Sequence, residues 1–588
     1  MKPIRIIAPG ICLLLAVATL QAKTLNVPAE RYRPAQQTVQ QSRALKLPVT
    51  ASQRKTLTDN RLSSLTLAAP QDAELQSLLN QHGQHKSFRI GISRELPALP
   101  DAAEWLWQAV AGGQAGQFTI ISEQAARLRI LLQISEPLPS GTEIRIYDPA
   151  DNSTVSGPYT QQNFTVSQTG GPATFWTPTL AGEQLGIEVF VPDNADPATL
   201  KLAIPRLSHI AYDMSAGQFR NLKSANLKVF GSCDVSIACA PQQWQETARS
   251  VARYIYTGTD GSTYLCSGTL MADLDQTAQI PYFLTAAHCI SDSSTAASMD
   301  FFWSDQESSC GADDANPVQV SGGAVLLHSE SGLDSTLVKM NNSPPADTLM
   351  SGWSLEPLAS PDAVAGIHHA LGNPKQFASG NFSAYTRIAA GSGGYTIYQD
   401  PLGDFFQVYW NQGITSPGSS GSGLWAVVDG QHLLKGNLLG GSSSCSTPDA
   451  ADDYARLDRF YPYIADWLGT IPTPLQSFLD NDSGLKALTD GVLLGRYLAG
   501  IRGMALVAGI SDAEVDINAL EERLAEAATN MDFDQDGSRT RNEDALLLAR
   551  YLVGLRGSSL IEGIDLNQSA NNTAEPIISA IEAFLQGE

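Results

Sequence analysis

Ser416-Pro417-Gly418-Ser419-Ser420-Gly421-Ser422-Gly423 is the stretch on which the reading of this chain turns. Small residues on both sides of a central serine let the backbone turn sharply and leave room for a substrate carbonyl to approach. The N–H groups of Gly418 and Ser420 are then candidates to point into one small space, as donors to an oxyanion. A glycine-serine run is also the composition of a flexible linker. The second stretch that decides between the two lies upstream, Leu284-Thr285-Ala286-Ala287-His288-Cys289, an apolar strand that ends on a histidine. A serine hydroxyl is a poor nucleophile until a base takes its proton, and a histidine so presented is that kind of base.

Composition narrows the class. A chain of 588 residues predicts three or four units. The formal net charge of -23 argues against nucleic acid, whose phosphates call for Lys and Arg, and suits a dispersed extracellular protein. Met1 to Ala22 carries Lys2 and Arg5, then an apolar run from Ile6 to Leu20, then Gln21-Ala22. That order predicts a secretory signal peptide. No later segment approaches the length of a membrane span, so no membrane association is expected once the signal is removed. Cys12 lies inside the signal, after Ile11 rather than a small residue, which does not support a lipid anchor. Its removal leaves six cysteines, Cys233, Cys239, Cys266, Cys289, Cys310 and Cys445, and an exported chain predicts three disulfides. A zinc site is the alternative, but there is no close Cys-x-x-Cys pair.

Along the chain, 23–83 is rich in Gln, Ser, Ala and Leu with weak helical patterning, partly ordered or a loose arm. From Phe88 to Tyr212 short alternating runs such as Leu128-Arg-Ile-Leu-Leu-Gln-Ile and Gly186-Ile-Glu-Val-Phe-Val predict a small β-sandwich. It has no cysteine and no cluster of His with acids; a propeptide or folding assistant and a permanent accessory domain are the two readings. The basic connector from Gln218 to Lys228 offers Lys223 or Lys228 as a self-processing point. From Val229 to Leu468 short strands return, and about 240 residues of them suit two packed six-stranded barrels with a site in the cleft between.

The His288 and Ser420 motifs resemble the trypsin/chymotrypsin superfamily of serine endopeptidases. The resemblance sharpens to the secreted bacterial lysyl endopeptidases. Gly231-Ser-Cys233, the block Tyr282 to Cys289, Ile367-His-His369, Pro417 to Ser422 and Gly440-Gly-Ser-Ser-Ser-Cys-Ser446 fall in that family's order. The resemblance implies Ser420 as nucleophile, His288 as general base and acid, and Asp334 as the orienting carboxylate. Asp313 and Asp314 are rivals of Asp334, but neither introduces an apolar strand. It also implies the pairs Cys233–Cys445, Cys239–Cys310 and Cys266–Cys289, the last worth roughly 3 kcal/mol or somewhat more in the loop-entropy picture. Adjacent residues on a strand face opposite ways, so His368 and His369 are read as structural rather than as a metal pair.

Substrate choice in that family rests on an aspartate shortly after the cysteine that follows the Gly-Gly pair. Anchoring on Tyr454 assigns the role to Asp452, with Asp453 and Asp449 as alternates, beside Leu439, Gly440 and Gly441. A buried carboxylate there favours Lys or Arg and penalises acids. Leu439 stands where the family has a histidine, and Ala390-Gly-Ser-Gly-Gly394 shows no counterpart of its pocket tryptophan, so basic specificity is expected rather than strict lysine preference. Ser419, not an aspartate, precedes the nucleophile, so no new amino terminus is captured there. Maturation would work by lifting off the N-terminal region.

After the linker 469–475, Asp490 to Gly503 recurs as Asp544 to Gly557, each copy a helix ended by glycine. The tail, 476–588, resembles dockerin-type calcium modules and is expected to be a small all-α domain. Asp532-Phe-Asp534-Gln-Asp536-Gly537-Ser538-Arg-Thr540-Arg-Asn-Glu543 fits the twelve-residue calcium loop, with Asp544 as alternate last ligand. The first copy, Asp480, Asp482 and Asp490, is shorter and lacks the third acid. A cohesin-like partner is what the resemblance implies for this module. No cofactor is expected for catalysis itself. The function expected is a secreted serine endopeptidase acting on proteins or peptides after basic residues. The alternatives are a calcium-dependent adhesion or scaffold protein with an inert protease fold, and an endopeptidase of other specificity.

Overall fold

The computed structural model describes residues 26–33, 63–79, 87–96, 105, 107–150, 155–166, 171–214, 218–219, 233–274, 279–391, 394–469, 487–508, 510, 516–540, 542–552, 555–566 and 569–585. The expected signal peptide, the processing lysines Lys223 and Lys228, the linker beyond residue 469, and Asp480 and Asp482 lie outside them. The chain divides into two compact units, one within 25–469 and one within 470–588.

Twelve strands carry the larger unit's two barrels. They are β1 (Val251–Thr257), β2 (Thr263–Met271), β3 (Tyr282–Thr285), β4 (Asp300–Trp303), β5 (Ala324–Glu330), β6 (Ser335–Met340), β7 (Ala363–His368), β8 (Gln376–Gly391), β9 (Phe405–Gln412), β10 (Gly423–Val428), β11 (Gln431–Gly441) and β12 (Asp452–Arg456). The first six pair antiparallel in the order β5-β6-β3-β2-β1-β4. The last six run β11-β10-β7-β8-β9-β12, and β12 pairs back onto β11 to close the ring. Every residue of β1, β3, β4 and β12 is buried, as strands held between a packed interior and a neighbouring layer should be. The second barrel is filled by Phe382, Phe406, Val408, Trp410, Leu424, Leu438 and Tyr454.

Three disulfides tie this body together, Cys233–Cys445, Cys239–Cys310 and Cys266–Cys289, the pairs the resemblance implies. The third closes 23 residues and staples β2 to the turn that carries His288.

The N-terminal region is not set apart from the barrels. Its strands form two sheets over one apolar core that includes Phe118, Ile130, Leu132, Ile146, Ile187 and Leu207. Strand Phe88–Glu95 belongs to one of these sheets and also pairs antiparallel with β2, Gly91 opposite Thr263 and Phe88 opposite Leu265. One sheet therefore runs from the N-terminal sandwich into the first barrel. The stretch expected to be a loose arm also contributes: Ser63–Leu67 is a strand parallel to Gly113–Ser122, and Asp72–Leu79 is a helix. Asn26–Val27 and Glu30–Arg31 pair with Trp353–Ser354 and Leu349–Met350 in the connector between the barrels.

The polar seam behind the shared sheet is buried. The Arg129 guanidinium, fully buried, donates to the Ser298 carbonyl and the Thr257 hydroxyl, both at 2.6 Å, and lies over the Trp176 ring. Thr179 donates its amide and its hydroxyl to Asp300 of β4, at 3.0 and 2.7 Å.

The described residues of the smaller unit form helices Val492–Leu498, Ile517–Ala528, Asp544–Leu552, Ser558–Ile561 and Ala574–Leu585 around Leu494, Leu520, Leu524, Leu548, Ile577 and Ile581. The duplication seen in the sequence recurs in hydrogen bonds. Arg496 donates to the Leu506 and Ala508 carbonyls, as Arg550 does to those of Leu560 and Glu562. Arg502 stacks on Tyr497 as Arg556 does on Tyr551. Among the described residues no helix is long and apolar enough to cross a membrane.

Truncating Arg129 leaves a buried carbonyl and hydroxyl without their charged donor, a loss of about 3 kcal/mol. Arg129→Ala is expected to unfold at lower urea and to speed amide exchange in Phe88–Glu95, read by hydrogen-exchange mass spectrometry. Unchanged exchange there contradicts a seam held by this side chain.

Candidate active site between the two barrels

β3 ends at Thr285 and the chain turns at once, the amides of Cys289 and Ile290 both donating to the Ala286 carbonyl. The turn aims His288 into the cleft, with about a tenth of its side chain exposed. Its backbone amide donates to Asp334 Oδ1 at 2.8 Å, and its Nδ1 lies 2.8 Å from Asp334 Oδ2. Its Nε2 lies 2.8 Å from Ser420 Oγ, across the gap between barrels. The three side chains, 132 residues apart from His288 to Ser420, thus form one hydrogen-bonded row. An Asp that accepts from both the amide and Nδ1 of one histidine fixes its tautomer, leaving Nε2 to face the serine.

Asp334 reaches this position from the head of β6 in a left-handed backbone conformation, φ +48°. For a residue with a Cβ that costs about 1–2 kcal/mol, so its surroundings must impose it. Asp313 and Asp314, its rivals in the sequence, are exposed, and Asp314 is engaged by Ser308.

Ser420 sits in the turn that precedes β10. Ser419 N donates to the Ser416 carbonyl and Ser422 N to that of Ser419, while Ser267 of β2 holds the turn from the other barrel, its amide on the Ser420 carbonyl and its hydroxyl on that of Gly418. Gly418 has φ +98°, and a Cβ there would lie 2.7 Å from the His369 carbonyl, so only glycine fits. Among the described residues neither the Gly418 nor the Ser420 amide has a hydrogen-bond partner. Both remain available to an incoming oxygen. His368 adds a link that the sequence reading missed: its Nδ1 lies 2.9 Å from Ser419 Oγ, both side chains fully buried. No motif flags this contact, because it depends on where β7 ends.

Asp452 opens β12 and is fully buried. Its Oδ2 accepts from Trp410 Nε1 at 2.7 Å, Thr415 Oγ1 at 2.7 Å and Ser443 Oγ at 2.5 Å, and its Oδ1 from the Ser443 amide at 3.2 Å. Thr415 is five residues before Ser420, so the carboxylate is tied to the segment that leads into the Ser420 turn. Gly441 and Gly440 pair with Asp452 and Asp453, and a Cβ on Gly441 would strike the Asp452 side chain. Trp410 was not singled out in the sequence; one tryptophan in an alternating strand carries no signal of its partner.

The three other candidates, Leu439, Asp449 and Asp453, point elsewhere. Leu439 faces away from Asp452, into an apolar cluster with Phe405, Ala455, Ile388 and Ile397. Asp449 is exposed. Asp453 lies on the face of β12 opposite to Asp452 and accepts from Thr386 Oγ1 at 2.7 Å. Burial, with the Asp452 charge adding to it, pushes the Asp453 carboxyl up to about 6.

In the smaller unit, Asp532, Asp534 and Asp536 bring carboxylate oxygens within 4.8 Å of one another. Asp534 Oδ1 is buried with no hydrogen-bond partner, while its Oδ2 accepts from Ser569 at 2.7 Å. Ser538 donates its amide to Asp536. Glu543 is taken by the Thr540 hydroxyl, whereas Asp544 is fully buried and accepts from the amides of Phe533 and Thr540. Asp490, its counterpart in the first repeat, is likewise buried.

A folded-state value near 6 against an ordinary 3.8 means that the Asp453 anion is disfavoured by folding. The contribution is absent below about pH 4 and grows into a penalty as pH rises through 6. Asp453→Asn is therefore expected to stabilise the barrel at pH 7 by about 2 kcal/mol and to have no effect at pH 3.5. Urea melts followed by tryptophan fluorescence at the two pH values check this; an equal shift at both contradicts it.

Comparison with known proteins agrees with the layout. Residues 64–211 match the family model described as lysyl endopeptidase N-terminal domain, and residues 227–455 that described as lysyl endopeptidase, C-terminal domain. A lysyl endopeptidase of Pseudomonas aeruginosa is 31% identical over 306 residues, which is 49% of this chain and 63% of that protein's length. Among solved structures, the active form of the Rv3671c protease from M. tuberculosis is 14% identical with a TM-score of 0.27, covering 38% of this chain and 83% of its own. The MamO protease domain from Magnetospirillum magneticum is 11% identical with a TM-score of 0.26, covering 37% and 98%. Both structural likenesses are too distant to speak for fold or activity. It is by sequence that the sandwich and the two barrels are similar, in order, to the two domains of lysyl endopeptidase.

Proposed function

We propose that this chain is a secreted serine endopeptidase that cleaves after basic residues through an acyl-enzyme on Ser420. The observation that carries the reading is the row Asp334–His288–Ser420 with each contact at 2.8 Å. As Ser420 Oγ bonds to the scissile carbonyl carbon, His288 Nε2 takes its proton. The carbonyl oxygen becomes an anion and receives the Gly418 and Ser420 amides. His288 then hands the proton to the leaving nitrogen as the C–N bond breaks. A water, deprotonated by the same nitrogen, releases the acid and restores Ser420. Three disulfides suit the oxidising compartment that a secreted enzyme meets.

Asp452 is the proposed base of the specificity pocket. Its Oδ2 already carries three donors, so a guanidinium fork finds no pair of oxygens to span. An ammonium is a point charge and needs only one, which favours lysine over arginine.

A fluorophosphonate probe is expected to label the wild-type protein and not Ser420→Ala. Absence of labelling in the mature wild-type protein would favour an inert scaffold. Cleavage-site profiling on a peptide mixture should place Lys, then Arg, before the scissile bond. In Asp452→Asn, kcat/KM on lysyl substrates should fall by about 10²–10³-fold. Profiling that returns no basic preference removes the pocket assignment and leaves the triad standing.

We also propose that the loop from Asp532 holds calcium. Three converging carboxylates, one with a buried oxygen lacking a donor, fit a hard cation with oxygen ligands. Asp532, Asp534 and Asp536 would hold it, with Asp544 rather than Glu543 supplying the acid at the end of the loop. The ion would relieve repulsion in the tail and couple metal to folding. The melting temperature of the tail's transition is expected to rise by several degrees with millimolar calcium, to return with chelator, and to ignore calcium in Asp534→Ala. A calcium-independent transition in the wild-type chain refutes the assignment.

A further inference from the structure

We infer that Asn437 is a positioning residue for the reaction: from the second barrel its amide fixes the backbone of Asp334, and with it the carboxylate that orients His288. The inference rests on the serine endopeptidase reading. Asp334 stands in a left-handed conformation, which aspartate tolerates better than most residues with a Cβ but which a backbone hydrogen bond must still hold. Its carbonyl accepts from Asn437 Nδ2 at 2.9 Å. Its own amide reaches the Ser331 carbonyl only at 3.3 Å, so Asn437 supplies the shorter of its two backbone bonds.

The Asn437 amide is itself fixed. Ser335 Oγ donates to its Oδ1 at 2.7 Å, which leaves Nδ2 as the end that must meet the Asp334 carbonyl, since a carbonyl can only accept. Asn437, Ser335 and Asp334 are all buried, so water cannot substitute for a lost partner.

The place of Asn437 in the fold gives the bond its consequence. It lies on β11 opposite Gly423, three residues beyond the nucleophile. The next residue, Leu438, exchanges backbone bonds with the nucleophile's turn: its amide donates to the Ser422 carbonyl and its carbonyl accepts from the Gly421 amide. One strand therefore holds the two residues after Ser420 through its backbone and Asp334 through a side chain. The two ends of the catalytic row, one on each barrel, are referred to a common support. Without the Asn437 amide, Asp334 is free to relax toward the right-handed region, and its carboxylate moves off both His288 N and His288 Nδ1.

The test uses the full chain as wild type, Asn437→Ala, Asn437→Asp and Ser335→Ala, with fluorophosphonate labelling rates and steady-state kinetics on a lysyl amide across pH. Asn437→Ala is expected to lose about 10- to 100-fold in kcat with KM within about threefold. The pH midpoint of the acylation rate should move down, because a His288 cation that has lost its carboxylate is harder to form. Asn437→Asp, which when ionised cannot donate to the carbonyl, should behave the same way. Ser335→Ala, which only unfixes the amide, should show a smaller loss and a midpoint shift of the same sign. A purely structural residue would lower the melting temperature and leave the pH midpoint where it is. Folded Asn437→Ala with wild-type kcat and midpoint overturns the inference, and so does an unmoved midpoint in Ser335→Ala should Asn437→Ala fail to fold. Wild-type protein that takes no label sinks the endopeptidase reading instead, so the two failures are told apart.

Discussion

The contact between His288 Nε2 and Ser420 Oγ crosses from one barrel to the other, and the rest of the larger unit serves to keep that crossing at hydrogen-bond length. Neither barrel holds both the imidazole and the hydroxyl of this contact by itself. The first supplies imidazole and carboxylate from the ends of β3 and β6; the second supplies the hydroxyl from the turn before β10. Proton transfer falls steeply with misplacement, so the interface between barrels must be stiffer than either loop. The devices that stiffen it are side chain to backbone. Ser267 reaches from β2 to two carbonyls of the nucleophile's turn, Asn437 reaches from β11 to Asp334, and the Cys266–Cys289 bridge pins the histidine's turn to the same β2.

A second constraint is the cost of a buried anion at Asp452. A carboxylate taken out of water is stable as a charge only where donors replace the lost hydration. Four donors do so here: an indole, two hydroxyls and an amide. Its neighbour Asp453 has one hydroxyl partner and sits opposite, and its carboxyl is pushed up accordingly. The pleat sets these adjacent acids on opposite faces of one strand, Asp452 toward Trp410, Thr415 and Ser443 and Asp453 toward Thr386.

Much of this was legible from residue order. A histidine at the end of an apolar strand and a serine among glycines announce themselves because the chemistry restricts which residues can flank them. The third member was harder. The resemblance implies Asp334, and against Asp313 and Asp314 the local cue is the apolar strand that follows Asp334. Asn437 and Trp410 gave no cue, and neither did the contact of His368 with Ser419. Each acts through a partner that lies far away in sequence and becomes a neighbour only when β11, β7 and β9 take their register. Asp453 shows the converse limit: sequence proximity to Asp452 says nothing about which face of a strand a side chain occupies.

The same limit applies to the N-terminal sandwich, whose strand pairing with the first barrel has no signal in the sequence. Alternation within Phe88–Glu95 reports that one face is buried, but not which strand lies alongside. Its pairing with Thr263 to Leu265 covers an edge of β2, whose next residue is the cysteine bonded beside His288. Tyr212, from the end of the same sandwich, donates to the Leu371 carbonyl, and Leu371 in turn donates its amide to the carbonyl of Pro417 beside the oxyanion glycine. An unpaired strand edge is a site for adding a strand. Lifting this region away would strip β2 of backbone partners, uncover the buried seam at Arg129 and Asp300, and release a hydrogen bond two steps from Gly418. Removal of the N-terminal region would therefore change the surroundings of the Ser420 turn as well as the mass of the chain.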